Sequence, residues 1–229
     1  MSGGRRSSAG IRDTVRGVAL FSGVSGPALE ALIGACRIQQ IDKGEILFFQ
    51  MDTADAAYVL RSGCISMLVS NVDGRFLVLD DMRPGDLFGE LGLLTAQPHS
   101  ASALARADRE VLVIPRATFL KLIQDEARIA RRVLEITAGR LQRSAQREQA
   151  LAFMNAQARL ARHLLTLEEQ EGGNGYVTTS QEDLANGTGL IRQTVAKALG
   201  SWRRDGWLKT SRGRIVILNR KALEMVEKG

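Results

Sequence analysis

The chain has 229 residues, a formal net charge of +6, a sequence pI near 9.8, 45% hydrophobic residues, two cysteines and two histidines. That length supports one large or two modest domains, each with its own core, and no apolar run approaches the roughly 20 residues of a membrane span. Cys36 and Cys64 lie far apart in apolar surroundings, which excludes a four-cysteine iron–sulfur or zinc site, and His99 and His163 have no metal-ligand spacing.

Residues 1–12 are rich in Ser, Gly and Arg without an apolar core, so they read as a disordered arm rather than a signal peptide and place the protein in the cytoplasm. Residues 13–36 read as helical, with Leu20, Phe21, Leu29, Leu32 and Ile33 as apolar contacts and Pro27 in a helix first turn. From residue 38 to 115, short apolar runs alternate with turns at Lys43-Gly44, Ser62-Gly63, Asp73-Gly74 and Pro84-Gly85. This spacing predicts short antiparallel strands closed into a small barrel or roll. Within it, Ile65, Met67 and Val69 alternate with Ser66, Leu68 and Ser70, as in a strand with at least one firmly buried face. A short helix begins at Arg116, and a long one runs over residues 126–155. Leu134, Thr137, Leu141, Ser144, Glu148, Leu151 and Asn155 fall at alternating spacings of three and four, a heptad-type seam that points to dimerisation through this helix. The basic excess lies towards the C-terminal end, with six Arg against two Glu between residues 128 and 148, which fits a polyanionic partner.

The sharpest local pattern spans residues 179–218. Ser180 is an N-cap with Asp183 three positions on. Leu184 and Ala185 belong to a first helix, and Thr188-Gly189 forms the turn, where glycine permits a left-handed backbone. Leu190, Thr194, Val195 and Leu199 place a second helix, with Val195 and Leu199 inward. This is a helix-turn-helix. Its exposed face carries Arg192, Gln193, Thr194 and Lys197. Arg can grip guanine twice, Gln pairs with adenine, and Thr and Lys suit phosphates. Trp207-Leu208-Lys209 and Ile215 to Leu218 flank Ser211-Arg212-Gly213-Arg214, a basic hairpin or wing. Ser180, Gln181, Arg192, Gln193, Thr194, Lys197 and Arg212 are therefore the candidate DNA contacts.

These stretches, together with Lys43-Gly44-Glu45, Tyr58 to Gly63, Pro84 to Leu91, Pro98 to Ala101 and Arg192 to Val195, resemble the family of the cyclic-AMP receptor protein and the fumarate-nitrate-reduction regulator over nearly the whole chain. The resemblance implies an α+β architecture: a cyclic-nucleotide-binding-like β-roll of jelly-roll type, a long dimerisation helix and a C-terminal winged helix-turn-helix. The expected division is residues 13–125, 126–155 and 156–229. It also implies a homodimer on a two-fold-symmetric DNA site, contact with RNA polymerase, and guanine readout by Arg192. One departure is Ile191, where a Ser or Thr is usual at the start of the recognition helix. Its loss removes a cap typically worth about 1 kcal/mol.

Residues 88–94 and 98–101 resemble the family's phosphate-binding cassette. Gly89 would let backbone approach a ligand, Glu90 would accept from a ribose hydroxyl, Leu91 lies at a helix start that offers N–H groups, and Ser100 would donate to phosphate. His99 stands where cyclic-nucleotide binders carry Arg, and Ser144 where the family places a hydroxyl for the purine. His is shorter, lacks the guanidinium fork and is mostly neutral at pH 7. Three outcomes stay open: a cyclic nucleotide, a different small-molecule effector, or a pocket that has lost ligand control. Haem is disfavoured because His99 and Cys64 form no haem motif, and an iron–sulfur cluster is not expected. A cyclic-nucleotide-binding module of another protein would end after the long helix. Glu90, His99 and Ser100 lack a third orienting group for hydrolysis, so no catalytic residue is assigned.

Overall fold

A computed structural model describes residues 3–24, 26–70 and 76–228, and of residues 3–9 and 150–153 the backbone alone. The turn expected at Asp73-Gly74 and the side chain of Leu151 lie outside what is described. The chain divides into two compact units, residues 1–69 with 78–140 and residues 70–77 with 141–229. The boundary falls inside one helix, between Arg140 and Leu141.

The first unit opens with helix α1 (Gly3–Gly17), a 3-10 turn at Ala19–Phe21 and helix α2 (Gly26–Ala35). Helix α1 overturns, over residues 3–12, the disordered arm expected for residues 1–12; residues 1 and 2 lie outside what is described. Ile11 and Val15 of α1 fall four residues apart and are buried, so the apolar anchor of the helix lies at its C-terminal half, where the Ser, Gly and Arg content of residues 1–12 conceals it. Arg12 adds a two-pronged ion pair with Glu30 of α2 at 2.7 and 2.8 Å. Strands β1 (Arg37–Ile41), β2 (Ile46–Phe48), β3 (Ala56–Leu60), β4 (Ile65–Ser70), β5 (Phe76–Met82) and β6 (Leu87–Phe88) follow. Helix α3 (Glu90–Thr95), β7 (Ser102–Ala105), β8 (Arg109–Pro115), α4 (Arg116–Asp125) and the long α5 (Ala127–Phe153) complete this part. The strands form two four-stranded sheets, ordered β1-β8-β3-β6 and β2-β7-β4-β5.

Strand β3 shows how the roll is held. All five of its residues are buried, because the two-residue alternation of a strand serves two cores. Ala57 and Val59 join Leu112, Ile114 and Phe119 under the helices. Ala56, Tyr58 and Leu60 join Phe48, Phe88, Val111 and Val113 inside the roll. Antiparallel pairing sets Tyr58 opposite Val113 and Val59 opposite Leu112. Strand β4 departs from the simple alternation: Ile65, Ser66 and Leu68 are buried, while Met67 and Val69 are half-buried. Ser66 tolerates this because its hydroxyl donates to Asp81 at 2.6 Å and accepts from Arg106 at 2.8 Å.

The second unit contains α6 (Ala156–Gln170), β9 (Tyr176–Val177), α7 (Gln181–Thr188), α8 (Arg192–Arg204), β10 (Leu208–Ser211), β11 (Arg214–Ile217) and α9 (Arg220–Glu227). Asn155 caps α6 by accepting from the Ala158 N–H at 2.9 Å. Leu160, Leu164, Leu184, Val195, Leu199, Trp202 and Leu223 form its core. Buried Glu168 ties the ends together, accepting from Arg220 at 2.5 Å and from the Gly175 N–H at 2.7 Å. The three-stranded sheet runs β10-β11-β9.

Candidate sensing pocket and nucleic-acid interface

The candidate effector site lies where β6 turns into α3. Gly89 has φ +76°, and a Cβ there would lie 2.8 Å from the Tyr58 ring. The close approach that requires glycine at this position is therefore to Tyr58 of β3, a neighbour within the chain. Glu90 follows and is 0% exposed. Its Oε1 accepts from Arg140 Nη1 of α5 at 2.5 Å, while its Oε2 has no hydrogen-bond partner. Arg140 Nη2 donates to the Leu87 carbonyl and lies 3.3 Å from Met82 Sδ. Burial pushes the Glu90 carboxyl above its ordinary range, against the downward pull of Arg140. Leu91 is exposed.

Four rings line the roll from this point. Phe88 stacks on Tyr58 with centroids 5.4 Å apart, Tyr58 lies 5.3 Å from Phe48, and Phe48 stacks on His99 at 3.7 Å and 12°. His99 is 3% exposed. Its backbone is clamped by His99 N–H to the Asp52 carbonyl and Met51 N–H to the His99 carbonyl, both 2.9 Å. Burial lowers the pKa of His99, outweighing the opposite influence of Asp55 and Asp52. It is a neutral core ring at pH 7. Ser100 beside it is exposed, as is Ser144 on α5, whose hydroxyl lies 3.4 Å from Glu148 Oε1. Burial also raises the Cys36 and Cys64 thiols, to about 12 and about 11, which keeps both protonated and poorly nucleophilic.

The nucleic-acid face lies in the second unit. The Ser180 hydroxyl accepts from the Asp183 N–H at 3.0 Å and donates to Asp183 Oδ2 at 2.7 Å. Its first task is thus the α7 cap. Gly189, at φ +68°, ends α7 in the left-handed conformation. Helix α8 buries Val195, Ala198, Leu199 and Trp202 and exposes Arg192, Gln193 and Lys197, with Thr194 half-buried. Ile191 makes no side-chain cap and is 48% exposed, so the start of α8 lacks the hydroxyl it would otherwise offer. Gly213, at φ +72°, turns the wing between β10 and β11. A groove of about 290 Å³ gathers Thr179, Ser180, Gln181, Arg192, Ser211 and Arg212. The structure thus brings four of the candidate DNA contacts to one groove, while Gln193, Thr194 and Lys197 stand outside its lining.

A roll that carries a buried carboxylate, and a winged helix-turn-helix with a basic face, define a regulator that binds DNA and senses a small molecule. The cyclic nucleotide-binding domain family matches residues 38–126, and the Crp-like helix-turn-helix domain family matches residues 158–226. The CRP-like cAMP-activated global transcriptional regulator of Mycobacterium tuberculosis is 30% identical over 206 residues, covering 87% of this chain and 92% of that protein. The cyclic AMP receptor protein of Thermus thermophilus is 28% identical over 215 residues, covering 94% and 99%. FixK2 from Bradyrhizobium japonicum superposes with a TM-score of 0.72 at 25% identity, covering 84% and 97%. The chain belongs to the CRP/FNR family of effector-controlled, DNA-binding transcription regulators. Its α+β architecture is the one the sequence resemblance implied. The helix-turn-helix match sets aside the reading as a regulatory module of another protein. The relatives are regulators, not enzymes.

Two residues with a place in these sites escaped the sequence reading. Arg140 stands fifty positions from Glu90, in an arginine-rich helix where nothing marks one guanidinium above the rest. Arg214 lies with its guanidinium 3.9 Å from the centre of the Tyr176 ring, a contact foreshadowed only by the basic character of the wing. The family implies a cyclic nucleotide, and the residues fit it at one end only. Glu90 Oε2 suits a sugar hydroxyl. At the other end His99 is turned into the aromatic core, uncharged, and does not fit a phosphate.

Proposed function

We propose that the protein works in the cytoplasm as a homodimer paired through α5, placing two copies of α8 on a two-fold-symmetric DNA site and thereby activating or repressing RNA polymerase. In this reading residues 13–125 sense an effector near Gly89, Glu90, Leu91, His99, Ser100 and Ser144, residues 126–155 dimerise, and residues 156–229 bind DNA. The observation that carries it is on α5: Leu134 and Leu141, one heptad apart, are 69% and 71% exposed among strongly charged neighbours. Two such leucines on a long helix are stabilised by a second copy of the same stripe, and a dimer with two-fold symmetry reads a two-fold site.

The test is a binding-site selection on wild type, Arg192→Ala and Lys197→Ala, with salt titrations. Arg192, exposed at the start of α8, is placed to reach base edges. Its loss costs about 1–3 kcal/mol per half-site and relaxes one symmetric pair of guanines. Lys197→Ala weakens all sequences alike and reduces the salt slope by about one unit per contact. An asymmetric selected site, or an unchanged base preference in Arg192→Ala, would overturn this assignment.

A further inference from the structure

Ile191 breaks the pattern of the recognition module. Its carbonyl accepts from the Thr194 and Val195 N–H groups at 2.9 and 3.2 Å, so its backbone, at φ −79° and ψ 146°, opens α8. A residue at this position usually offers an oxygen to the free N–H groups of the first turn, and isoleucine is among the poorest choices for that task. Nor does the side chain serve the core. Leu190 packs against the cluster of Val195, Leu199 and Trp202, whereas Ile191 is 48% exposed. Among the described residues from Thr179 to Ile217 it is the one exposed large hydrophobic side chain. Its surroundings on α8 are polar or basic: Arg192 and Gln193 follow directly, Lys197 lies one turn beyond Gln193, and all three are exposed. No acidic residue falls in the first turn of the helix.

The chemistry of the place selects its partner. A basic face without an acidic group at its leading end attracts a polyanion, and the Crp-like helix-turn-helix makes that polyanion duplex DNA. Phosphate oxygens and the polar edges of the bases offer an isoleucine nothing. The major groove carries one apolar group, the C5-methyl of thymine. We propose that Ile191 is a specificity-determining residue that packs on the C5-methyl of a thymine, so that the start of α8 exchanges a cap for an apolar base contact. Consecutive Cα atoms lie about 3.8 Å apart and stacked bases about 3.4 Å apart, so this thymine stands next to the guanine assigned to Arg192. The inference rests on the reading that the start of α8 enters the major groove. It adds to that reading a base contact from a residue outside the candidate DNA contacts.

The experiment uses the full-length protein and the operator recovered by site selection. Each thymine of the operator is replaced in turn by deoxyuridine, which lacks only the methyl, and affinity is measured for wild type, Ile191→Ala and Ile191→Ser. The expected result is that wild type loses about fourfold in affinity at one thymine per half-site, the worth of one buried methyl, and that both variants bind the two operators equally. Ile191→Ala removes the apolar bulk without adding a hydroxyl. Ile191→Ser gains a cap, so it decides alone should Ile191→Ala fail to fold. A deoxyuridine scan that is flat in wild type overturns the proposal and leaves Ile191 over the sugar–phosphate backbone. The same sensitive thymine in wild type and both variants overturns it too, because another residue then holds the methyl. Base preference in Arg192→Ala tests the entry of α8 into the major groove separately. If Arg192 reads a base and the scan is flat, the Ile191 assignment fails alone; if neither shows a base contact, the reading of α8 fails and this proposal with it.

Discussion

Replacing Arg140 by Leu removes the partner of a carboxylate that is 0% exposed. Breaking a buried ion pair from one side costs about 3–5 kcal/mol, because the remaining charge is left uncompensated. The Arg140 side chain is 19% exposed, so water screens the pair in part and the lower end, about 3 kcal/mol, is the better figure. At roughly 2–4 °C per kcal/mol for a chain of this size, the roll should melt about 6–12 °C lower at pH 7.5. The effect has a pH signature. Burial raises the folded-state pKa of Glu90 above its unfolded value, and without Arg140 it rises further. A raised folded pKa means that the stability contribution is fully present below the unfolded pKa and is lost as pH rises through the folded one. The variant should therefore recover towards wild type as pH falls from 7.5 towards 5, because protonation of the carboxyl removes its need for a cation. Thermal unfolding followed by circular dichroism at both pH values measures this. An equal deficit at pH 5 and pH 7.5 would refute the reasoning and assign the loss to packing of the Arg140 side chain.

Leu141→Lys places a charge on the exposed α5 stripe and should give monomers by light scattering with strongly weakened operator binding; a variant that stays dimeric moves the interface elsewhere. His99→Arg replaces a neutral stacked ring with a side chain too long and too charged to remain in the aromatic row, and should raise cyclic-AMP affinity tenfold or more. That follows because one charge-assisted hydrogen bond is worth about 1.5–3 kcal/mol. Calorimetry on a variant shown to be folded checks this, and unchanged affinity would mean that position 99 does not face the ligand.

The helix-turn-helix was legible because its determinants are local. The Ser180 cap, the left-handed Gly189 and the inward Val195 and Leu199 all fall within twenty residues, and each reports a backbone or packing requirement that neighbours alone impose. The roll was legible as a class for a similar reason, since turns and alternation are local signals. Its interior was not. Whether His99 faces a ligand or a core depends on Phe48, fifty-one positions earlier, and whether Glu90 is paired depends on Arg140, fifty positions later. In β4 the two-residue rhythm implied at least one buried face, and which residues of the second face are also buried was not legible: Ser66 and Leu68 are, with Ser66 held by Asp81 and Arg106, while Ser70 is exposed. Helix α1 failed in the opposite direction: its buried Ile11 and Val15, four residues apart, were present in the sequence, and composition outweighed periodicity.

Arg140 and Leu141 are consecutive residues of α5, and they answer to different partners. Arg140 is held by Glu90 and the Leu87 carbonyl, whereas Leu141 is 71% exposed. Successive residues on a helix differ by about 100° in direction, so the turn that commits Arg140 inward turns Leu141 away. Arg140 is thus committed within its own unit, and of these two consecutive residues only Leu141 presents its side chain to solvent, where the proposed pairing through α5 needs it.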